Sequence, residues 1–330
     1  MCSLSDMPNI SMNLILDYVG FPSIMSLQKV SSHFRNYIIE NKPQFKFLGI
    51  YIILRQDFIK VEWFSDSNSH SENFEIFYQY RANGHKVRSI HGEKVLGYCN
   101  YIDAFFKDFK LIMSHHKSVL EWFQVDVMET VNTQNTGQFL KTFEETLKTN
   151  PVNTKKFGLS VLNGDEITSI LPCLNADHLK EIRLLSSSSV EREVCLNDVV
   201  GLEQWKHLER LKTIFLPISS ISMREFNHFT SMDVVFNSIC AEDLDVLRQA
   251  AMNSSNFESF RIECRKFNDN QRLAELFGTP FRNEDQNDEL WYFNTCRPGK
   301  VLEIEHWIGH LFNFQLIEVG EVVNGAEIRS

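Results

Sequence analysis

The side chains best suited to chemistry are two pairs of histidines, and their context argues against a metal or catalytic site. His306 and His310 are four residues apart, a spacing that places two rings on one face of a helix and suits a metal ion. Residues 302–305, however, alternate apolar and charged side chains, which predicts a strand and turn, where that spacing has no such meaning. His115 and His116 are expected at the end of a helix, where a favourable interaction of their charge with the helix dipole at the surface is enough to explain them. We therefore expect structural histidines, with no metal and no cofactor.

The motifs that usually carry enzyme chemistry are missing from the sequence. It contains no G-x-G-x-x-G, no G-x-x-x-x-G-K-[ST] and no G-x-S-x-G run, so neither a phosphate cradle nor a nucleophile elbow is indicated. Cysteine–histidine and Ser–His–Asp combinations can be assembled on paper, but no spacing favours one of them. An enzyme whose site escapes motif recognition is the weakest of three functional classes that we consider.

Composition excludes several other classes of protein. With 330 residues, 43% of them hydrophobic, the chain can bury a substantial core. Its net charge of −10 argues against a nucleic-acid binder and against a basic membrane-surface protein.

The start has no basic segment followed by an apolar run, and no stretch approaches the roughly 20 apolar residues of a membrane span. Seven scattered cysteines without paired spacing predict reduced thiols, hence the cytoplasm, the nucleus or both.

The segment from residue 7 to residue 38 is amphipathic and too short to fold alone. Met12, Ile15, Leu16 and Val19 form one helical stripe, and a second stripe follows the break at residues 21–22. Further apolar side chains lie off the stripes: Met7, Ile10, Leu14 and Met25. Because about 30 residues bury too little surface to hold themselves together, these extra side chains are expected to cover a partner.

This segment resembles an F-box. The family pattern runs Leu-Pro, Ile-Leu, Leu, then Leu, Val-Cys and an aromatic residue followed by Arg, and the chain follows it with Met7, Ser31 and Phe34 as substitutions. The resemblance implies binding to a Skp-type adaptor and, through it, to a cullin. The residues implied in adaptor binding are Met7, Pro8, Ile10, Met12, Ile15, Leu16, Val19, Pro22, Ile24, Met25, Leu27, Val30, Ser31, Phe34 and Arg35.

Two alternatives for this segment stay open. It could be a helical hairpin that packs on its own chain, because short apolar helical patterns are common. A basic cluster within and after it could suggest nucleic acid, although a solvated face or a surface matching an acidic adaptor explains it better. The cluster comprises Lys29, His33, Arg35, Lys42 and Lys46.

Residues 43–131 are predicted to be a connecting region with strands and a helix. An apolar bridge at 45–54 precedes alternating strands near 59–63 and 74–80, which a polar turn at 65–71 would join as a hairpin. A turn at 82–84 and a short strand near 86–90 follow. Asn100 is the expected N-cap of a helix whose apolar face is rich in phenylalanine.

Within the predicted domain at residues 132–325, the sequence repeats a strand followed by a helix from residue 157 to residue 277. Strands of the form Leu-x-x-Ile-x-Leu recur at 179–184 and 211–216, with related strands at 157–161, 232–236 and 257–262. Such units at roughly 20–30 residues are typical of a leucine-rich repeat, here degenerate. Ser222 and Glu225 have the spacing of a capping box. An ordinary α/β sheet is the alternative, and three strands from 290 to 319 are expected to form an antiparallel cap.

This second half resembles the FTH domain, which follows the F-box in the large nematode F-box A family. The residues that carry the resemblance are Ile170-Leu-Pro-Cys-Leu174, Leu179-Lys-Glu-Ile182, Leu202-Glu-Gln-Trp205-Lys206 and Phe226-Asn-His-Phe229. The expected domains are an F-box at 3–42, the connecting region at 43–131 and the FTH-like domain at 132–325. The expected fold class is α+β or α/β: a small all-helical F-box, then a leucine-rich-repeat-like curved sheet with flanking helices and the cap.

The predicted function is therefore that of a non-catalytic substrate adaptor in a Skp–cullin–F-box ubiquitin ligase. The competing class is a repeat scaffold outside any ligase. Charged positions off the apolar register of the strands are the expected contacts to an unknown protein target: Lys180, Arg183, Lys212, Glu258 and Arg261. Trp205 ranks lower because it lies on a predicted helix. Ile182 and Ile214 are expected to face the interior of the sheet.

Overall fold

The computed structural model separates the chain into two compact units. The first comprises Met1–Lys156 with Cys173–His178, and the second comprises Phe157–Pro172 with Leu179–Ser330. The residues that the structure describes are 7–19, 23–24, 27, 31–41, 47–65, 73–89, 92–97, 100–128, 131, 133–162, 164–187, 192–219, 221–282, 288–307 and 310–330. Across these ranges no helix is both long and apolar enough to cross a membrane.

Among the described residues at the start of the first unit are two short helices, Asn9–Tyr18 (α1) and Ser32–Asn41 (α2). Pro8 precedes α1 in an extended conformation, and its carbonyl oxygen accepts the first helical hydrogen bond from Met12 N at 3.0 Å. The Tyr37 hydroxyl on α2 lies 2.9 Å from the carbonyl oxygen of Asn9 and 2.8 Å from Asn13 Oδ1. Tyr37 therefore fixes α2 against α1.

A sheet follows in the order β6-β1-β2-β3-β4-β5. Its strands are Phe47–Leu54 (β1), Phe58–Ser65 (β2), Phe74–Arg81 (β3), Gly84–Ser89 (β4), Gly92–Leu96 (β5) and Trp122–Val127 (β6). Strands β1 to β5 pair antiparallel in chain order, whereas β6 is parallel to β1. The predicted pairing of 59–63 with 74–80 is confirmed. Ser65, the first residue of the turn predicted at 65–71, still belongs to β2, and the rest of that turn lies outside the described residues.

The apolar bridge expected at 45–54 is wrong in type, because residues 47–54 form β1. Strands β2 and β6 flank β1 on its two edges, and buried side chains lie along its length. Half-buried positions alternate with the buried ones but carry apolar or aromatic side chains as well (Leu48, Tyr51 and Ile53), so the polar–apolar alternation that marks a half-exposed strand is missing from the sequence.

Helices Tyr101–His115 (α3) and Thr133–Thr149 (α4) contribute phenylalanine side chains to an aromatic core of the first unit. Asn100 caps α3 as predicted: its side-chain oxygen accepts a hydrogen bond from Ile102 N at 3.1 Å. Phe106 and Phe139 have ring centroids 5.2 Å apart, and Phe139 stacks on Phe143 at 5.5 Å. His115 is buried rather than exposed at the helix end, which corrects the expected surface role.

The second unit contains strands that pair with their neighbours in chain order. They are Lys156–Val161 (β7), Glu181–Ser186 (β8), Arg210–Ile218 (β9), Ser231–Ser238 (β10) and Ser259–Lys266 (β11). Strands β8 to β11 are all parallel. The helices of this unit are Asp165–Ile170 (α5), Glu203–His207 (α6), Ala241–Asn253 (α7) and Asn270–Phe277 (α8).

The three predicted antiparallel carboxy-terminal strands are confirmed as Glu289–Asn294 (β13), Lys300–Trp307 (β14) and Leu311–Glu318 (β15). Two further short strands are not predicted from the sequence: Phe281–Arg282 (β12), antiparallel to β13, and Ile328–Arg329 (β16), parallel to β13. Strand β15 pairs antiparallel with β14 on one side and with β11 on the other. The mixed α/β class is thus confirmed, while the leucine-rich-repeat character stays a prediction.

Two local expectations in this unit are wrong. Residues 223–226 form a turn of 3₁₀ helix, and the Ser222 side chain makes no capping hydrogen bond there. Ile214 is only half-buried, because it lies on the same face of β9 as Lys212 and opposite the half-buried Leu185 of β8, whereas Ile182 is buried as predicted. Strand β9 also bulges after Thr213. The bulge shows in the pairing with β10: Asp233 lies opposite Lys212, but Val235 lies opposite Pro217.

Candidate functional site

The first candidate surface is the solvent-facing side of α1. Ile10 and Leu14 are 77% and 58% exposed, and Met7, just before the helix, is exposed as well. Residues four apart in a helix lie one above the other, so Ile10 and Leu14 form a continuous apolar strip. These are the off-stripe residues whose exposure the sequence predicted. Leu14 is not among the residues implied by the F-box pattern, and only its position off the buried stripe identifies it.

The other residues implied in adaptor binding divide by burial. Pro8 and Arg35 are exposed, and a second group is half-buried: Ile15, Val19, Leu27 and Ser31. A third group is buried: Met12, Leu16, Ile24 and Phe34. Pro22, Met25 and Val30 lie outside the described residues, as do Lys29, Lys42 and Lys46 of the basic cluster. The buried residues pack inside the chain, and this packing holds the exposed Ile10–Leu14 strip in place.

The second candidate surface is one face of β8 to β11, which we call the outer face. Side chains on these strands alternate between buried and accessible positions, as in β10, where Met232 and Val234 are buried and Asp233 and Val235 are half-buried. The buried face packs under the helices: Phe236 contacts Phe226 with ring centroids 5.6 Å apart. The outer face is defined by Glu181, Arg183, Leu185, Lys212, Ile214, Asp233, Val235, Arg261, Glu263 and Arg265.

Three of the predicted target contacts lie on the outer face. Lys212 Nζ is 2.5 Å from Asp233 Oδ2, and Arg261 Nη1 is 3.4 Å from Asp233 Oδ1. Arg183 pairs with Glu181 on its own strand, Nε to Oε1, at 2.5 Å. Because neighbouring parallel strands align these positions, the structure brings together side chains that are far apart in sequence.

The other two predicted contacts lie where the strands begin. Lys180 precedes β8 and pairs with Glu209 at 3.0 Å, Nζ to Oε1. Glu258 precedes β11 and accepts two hydrogen bonds from Arg210 Nη2, at 2.7 and 3.0 Å. Strand β10 lies between β9 and β11, so this pair reaches over one strand. The five predicted residues thus form a charged band over β8 to β11.

Phe215 is the residue on this surface that sequence analysis missed. It sits on the β9 bulge with a φ of 53°, and its side chain is 84% exposed. A bulky residue with positive φ is a rare conformation. In the sequence, Phe215 is one of several apolar residues in a predicted strand, and nothing in the sequence distinguishes it from the buried apolar residues of that strand.

Trp205 belongs to the core, as its lower rank anticipated. Its indole Nε1 donates a hydrogen bond to the carbonyl oxygen of Glu225 at 3.2 Å. Its ring meets Phe226 and Phe229 edge-on, with centroids 5.7 and 5.2 Å apart. The Glu-Gln-Trp-Lys and Phe-Asn-His-Phe runs therefore meet in one aromatic cluster.

The histidine pair near the carboxy terminus occupies a strand and a turn, as predicted. His306 lies on β14 and its Nδ1 is 3.1 Å from Glu289 Oε2, while His310 follows with a φ of 64°. Burial lowers the pKa of His306, although its partner Glu289 opposes the shift. Among the described residues, no group of three or more histidine, cysteine or acidic side chains is placed to hold a metal ion.

A polar cleft of about 1150 Å³ opens in the first unit. Its lining groups are engaged with one another: Asn135 Nδ2 donates to the Tyr101 hydroxyl at 3.2 Å. That hydroxyl in turn lies 3.3 Å from the carbonyl oxygen of Gln56. Burial raises the pKa of Tyr101 away from the neutral range, so its hydroxyl stays protonated there.

Comparison with protein-family models gives two matches. The F-box domain matches residues 4–46, and the FTH domain matches residues 137–281. No curated protein matches the chain. No solved structure matches it either.

Proposed function

The chain carries an F-box followed by an FTH domain, and on that basis we propose that it is the substrate-recognition subunit of a Skp–cullin–F-box ubiquitin ligase. The F-box indicates a substrate-adaptor role, and such proteins are generally non-catalytic subunits. In the proposal, the F-box binds a Skp-type adaptor and the FTH domain binds a target protein.

The observation that carries the proposal is the exposed apolar strip of α1. Water contacts most of the Ile10 and Leu14 side chains, and Met7 extends the strip at the start of the helix. Covering such side chains in a partner is favourable by about 25 cal/mol per Å² of apolar surface. The buried residues Met12 and Leu16 on the other side of α1 keep the strip turned outward.

Target binding is assigned in this proposal to the outer face of β8 to β11. Parallel strands that stack in chain order give an extended surface, which suits protein partners and is the property that leucine-rich repeats exploit. The charged band and Phe215 offer both polar and apolar contacts there. Support comes from the exposure of these side chains and from the family match that covers the strands.

No chemistry by this chain is required for ubiquitin transfer in such a complex. The subunit would hold a target lysine near a ubiquitin carrier and so raise the effective concentration of the two reactants. The proposed site of action is the cytoplasm, the nucleus or both, in keeping with scattered cysteines.

Purification of the tagged full-length chain from native cells tests the assignment. Co-purification of a Skp-type adaptor and a cullin, with both lost in an Ile10→Ser/Leu14→Ser variant, is the expected result. Partners recovered without either ligase component, from wild type and variant alike, would instead favour a scaffold outside any ubiquitin ligase.

A further inference from the structure

Phe215 is held in its exposed position by a defined local structure. Along β10, Asp233 and Val235 are two residues apart, whereas their partners on β9, Lys212 and Pro217, are five residues apart. The extra residues of β9 form the bulge. The Val235 amide, which the bulge withdraws from the ladder, donates instead to Thr213 Oγ1 at 2.9 Å. The bulge is therefore closed by a hydrogen bond, and it fixes the direction of the side chain that it carries.

The conformation of Phe215 is unfavourable in two respects. Positive φ brings Cβ close to the following carbonyl in any residue other than glycine. An 84% exposed phenyl ring also leaves its apolar surface in water. Strained backbone that is stabilised by its surroundings is concentrated at binding sites, where the strain presents a side chain to a ligand.

Apolar neighbours make Phe215 the centre of a small patch on the outer face. Leu185 lies opposite Ile214 in the β8–β9 ladder, and both side chains are half-buried. Val235, opposite Pro217, is half-buried on the other side. In protein interfaces, a few side chains near the centre of the patch supply most of the binding energy, while the residues around them exclude water.

Positive charge borders this patch toward the start of the strands. Lys212 and Arg261 both contact the single carboxylate of Asp233, whose one negative charge balances only one of them. Arg183 in the same row is balanced by Glu181. Glu263, opposite Val235, bounds the patch on the β11 side. The Lys212–Asp233–Arg261 row therefore carries one more positive than negative charge, and it lies on the Lys212 side of the phenyl ring.

We propose that Phe215 and the adjacent Lys212–Asp233–Arg261 row bind a short target segment in which an apolar side chain is followed closely by a carboxylate. The apolar side chain packs against Phe215, Ile214 and Val235, and the carboxylate contacts Lys212 and Arg261. This inference rests on the proposed function, since it specifies which targets the FTH domain accepts. The apolar centre favours a protein segment over nucleic acid, whose contacts are mainly to phosphates.

A random peptide library of about 12 residues displayed on phage, selected on the full-length chain, tests the inference. Peptides that bind wild type should be enriched in an aromatic or aliphatic residue next to Asp or Glu. Their affinity, measured by fluorescence anisotropy, should fall at least about tenfold on Phe215→Ser and on Arg261→Glu. It should also weaken as salt rises.

Matched controls separate the site from general effects. Val95→Ser removes an exposed apolar side chain elsewhere in the chain, and Lys117→Glu reverses an exposed charge elsewhere. Neither should change the affinity by more than about twofold. Phe215→Leu keeps an apolar side chain and should retain most of the binding, and thermal melting verifies that each variant is folded.

Three outcomes would overturn the inference. The first is a set of peptides that bind Phe215→Ser as well as wild type, and the second is a set without acidic residues. The third is a random single-stranded DNA oligonucleotide that competes with the peptides. Capture of the Skp-type adaptor, which in the proposal depends on α1, is measured on the same proteins. If wild type does not capture the adaptor, the proposed function is refuted, whereas peptide binding at Phe215 decides this inference separately.

Discussion

The imidazole of His228 donates a hydrogen bond through Nε2 to the carbonyl oxygen of Trp205, 2.9 Å away. The two rings also meet edge-on, with centroids 6.2 Å apart. This contact joins the two sequence runs that indicate the FTH domain. Burial lowers the pKa of His228 below its ordinary value of 6.5, so the folded protein keeps the ring neutral.

Acid should therefore destabilise the second unit through His228. In the unfolded chain the ring takes up a proton as the pH falls through about 6.5, whereas in the folded chain it resists until the pH is lower. The unfolded state then binds more protons, and the free energy of unfolding decreases. His228→Gln keeps a donor but does not titrate, so its melting temperature should fall less between about pH 7 and pH 5.

Thermal melts of wild type and His228→Gln over that range measure the effect. A residual slope is expected in the variant, because burial also lowers the pKa of His306. Identical slopes for the two proteins would mean that His228 does not contribute to the acid sensitivity.

The exposed strip of α1 should bind the adaptor without stabilising the fold. Ile10→Ser and Leu14→Ser together should weaken capture of a Skp-type adaptor by at least about tenfold and leave the melting temperature unchanged. Leu16→Ala, on the buried side, should instead cost about 2–5 kcal/mol of stability in the helix pair. Asn36→Ala, on the exposed side of α2, is the control and should change neither quantity.

Titration of each purified variant against the adaptor, with a melt of the same sample, separates the two effects. Unchanged affinity in the Ile10→Ser/Leu14→Ser protein would exclude the strip as the adaptor surface. The same variant is also expected to keep its target while losing the ligase, and so to protect that target from ubiquitination when overexpressed.

Ile182 and Ile214 occupy the same place in the Leu-x-x-Ile-x-Leu pattern but differ in burial, which makes them a matched pair. Ile182→Asp places a carboxylate in the core at a cost of several kcal/mol, comparable with a whole domain stability of roughly 5–15 kcal/mol. Ile214→Asp, at a half-buried position on the bulge, should cost less than about 1 kcal/mol. The free energy of unfolding of both variants is measured in urea. Equal decreases in the two variants would show that Ile214 is as buried as Ile182.

Replacing Phe215 by glycine should stabilise the protein. Positive φ costs a non-glycine residue about 1–2 kcal/mol, while glycine loses about 0.5–1 kcal/mol more backbone entropy on folding. The net gain in the free energy of unfolding should be about 0.5–1 kcal/mol, measurable by urea unfolding. Phe215→Val is the control: a β-branched residue tolerates this backbone least and should destabilise the chain. A loss of stability in Phe215→Gly would indicate that the phenyl ring contributes packing that its exposure conceals.

Much of the secondary structure follows from apolar periodicity, and the failures have identifiable physical causes. The hairpin of β2 with β3, the Asn100 cap and the carboxy-terminal strands are predicted because alternation and capping chemistry are local. Strand β1 is not, because its half-buried positions also carry apolar or aromatic side chains, so its sequence shows no alternation. Ser222 has the right type and spacing for a cap, but the chain continues as a 3₁₀ turn, where that hydrogen bond is not made.

The candidate site was predictable only in part. Off-register charges such as Lys212 and Arg261 are visible as polar positions on strands, yet their shared partner Asp233 depends on the order of the strands in the sheet. Phe215 could not be found from the sequence, because the bulge depends on how β9 pairs with β10. Leu14 could be found, since it lies off the buried stripe of its helix.

The order of the strands in the second unit bears on how the nascent chain folds. Each strand from β8 to β10 pairs with the next strand along the chain, so this part of the sheet can assemble strand by strand during synthesis. The exception is the far edge of β11, whose partner β15 is made only after residues 267–310 have emerged. Until then β11 presents an unpaired edge, which is a place for another chain to attach. We therefore expect the nascent chain to depend most on chaperones while residues 267–310 are being synthesised, and more so if translation pauses there.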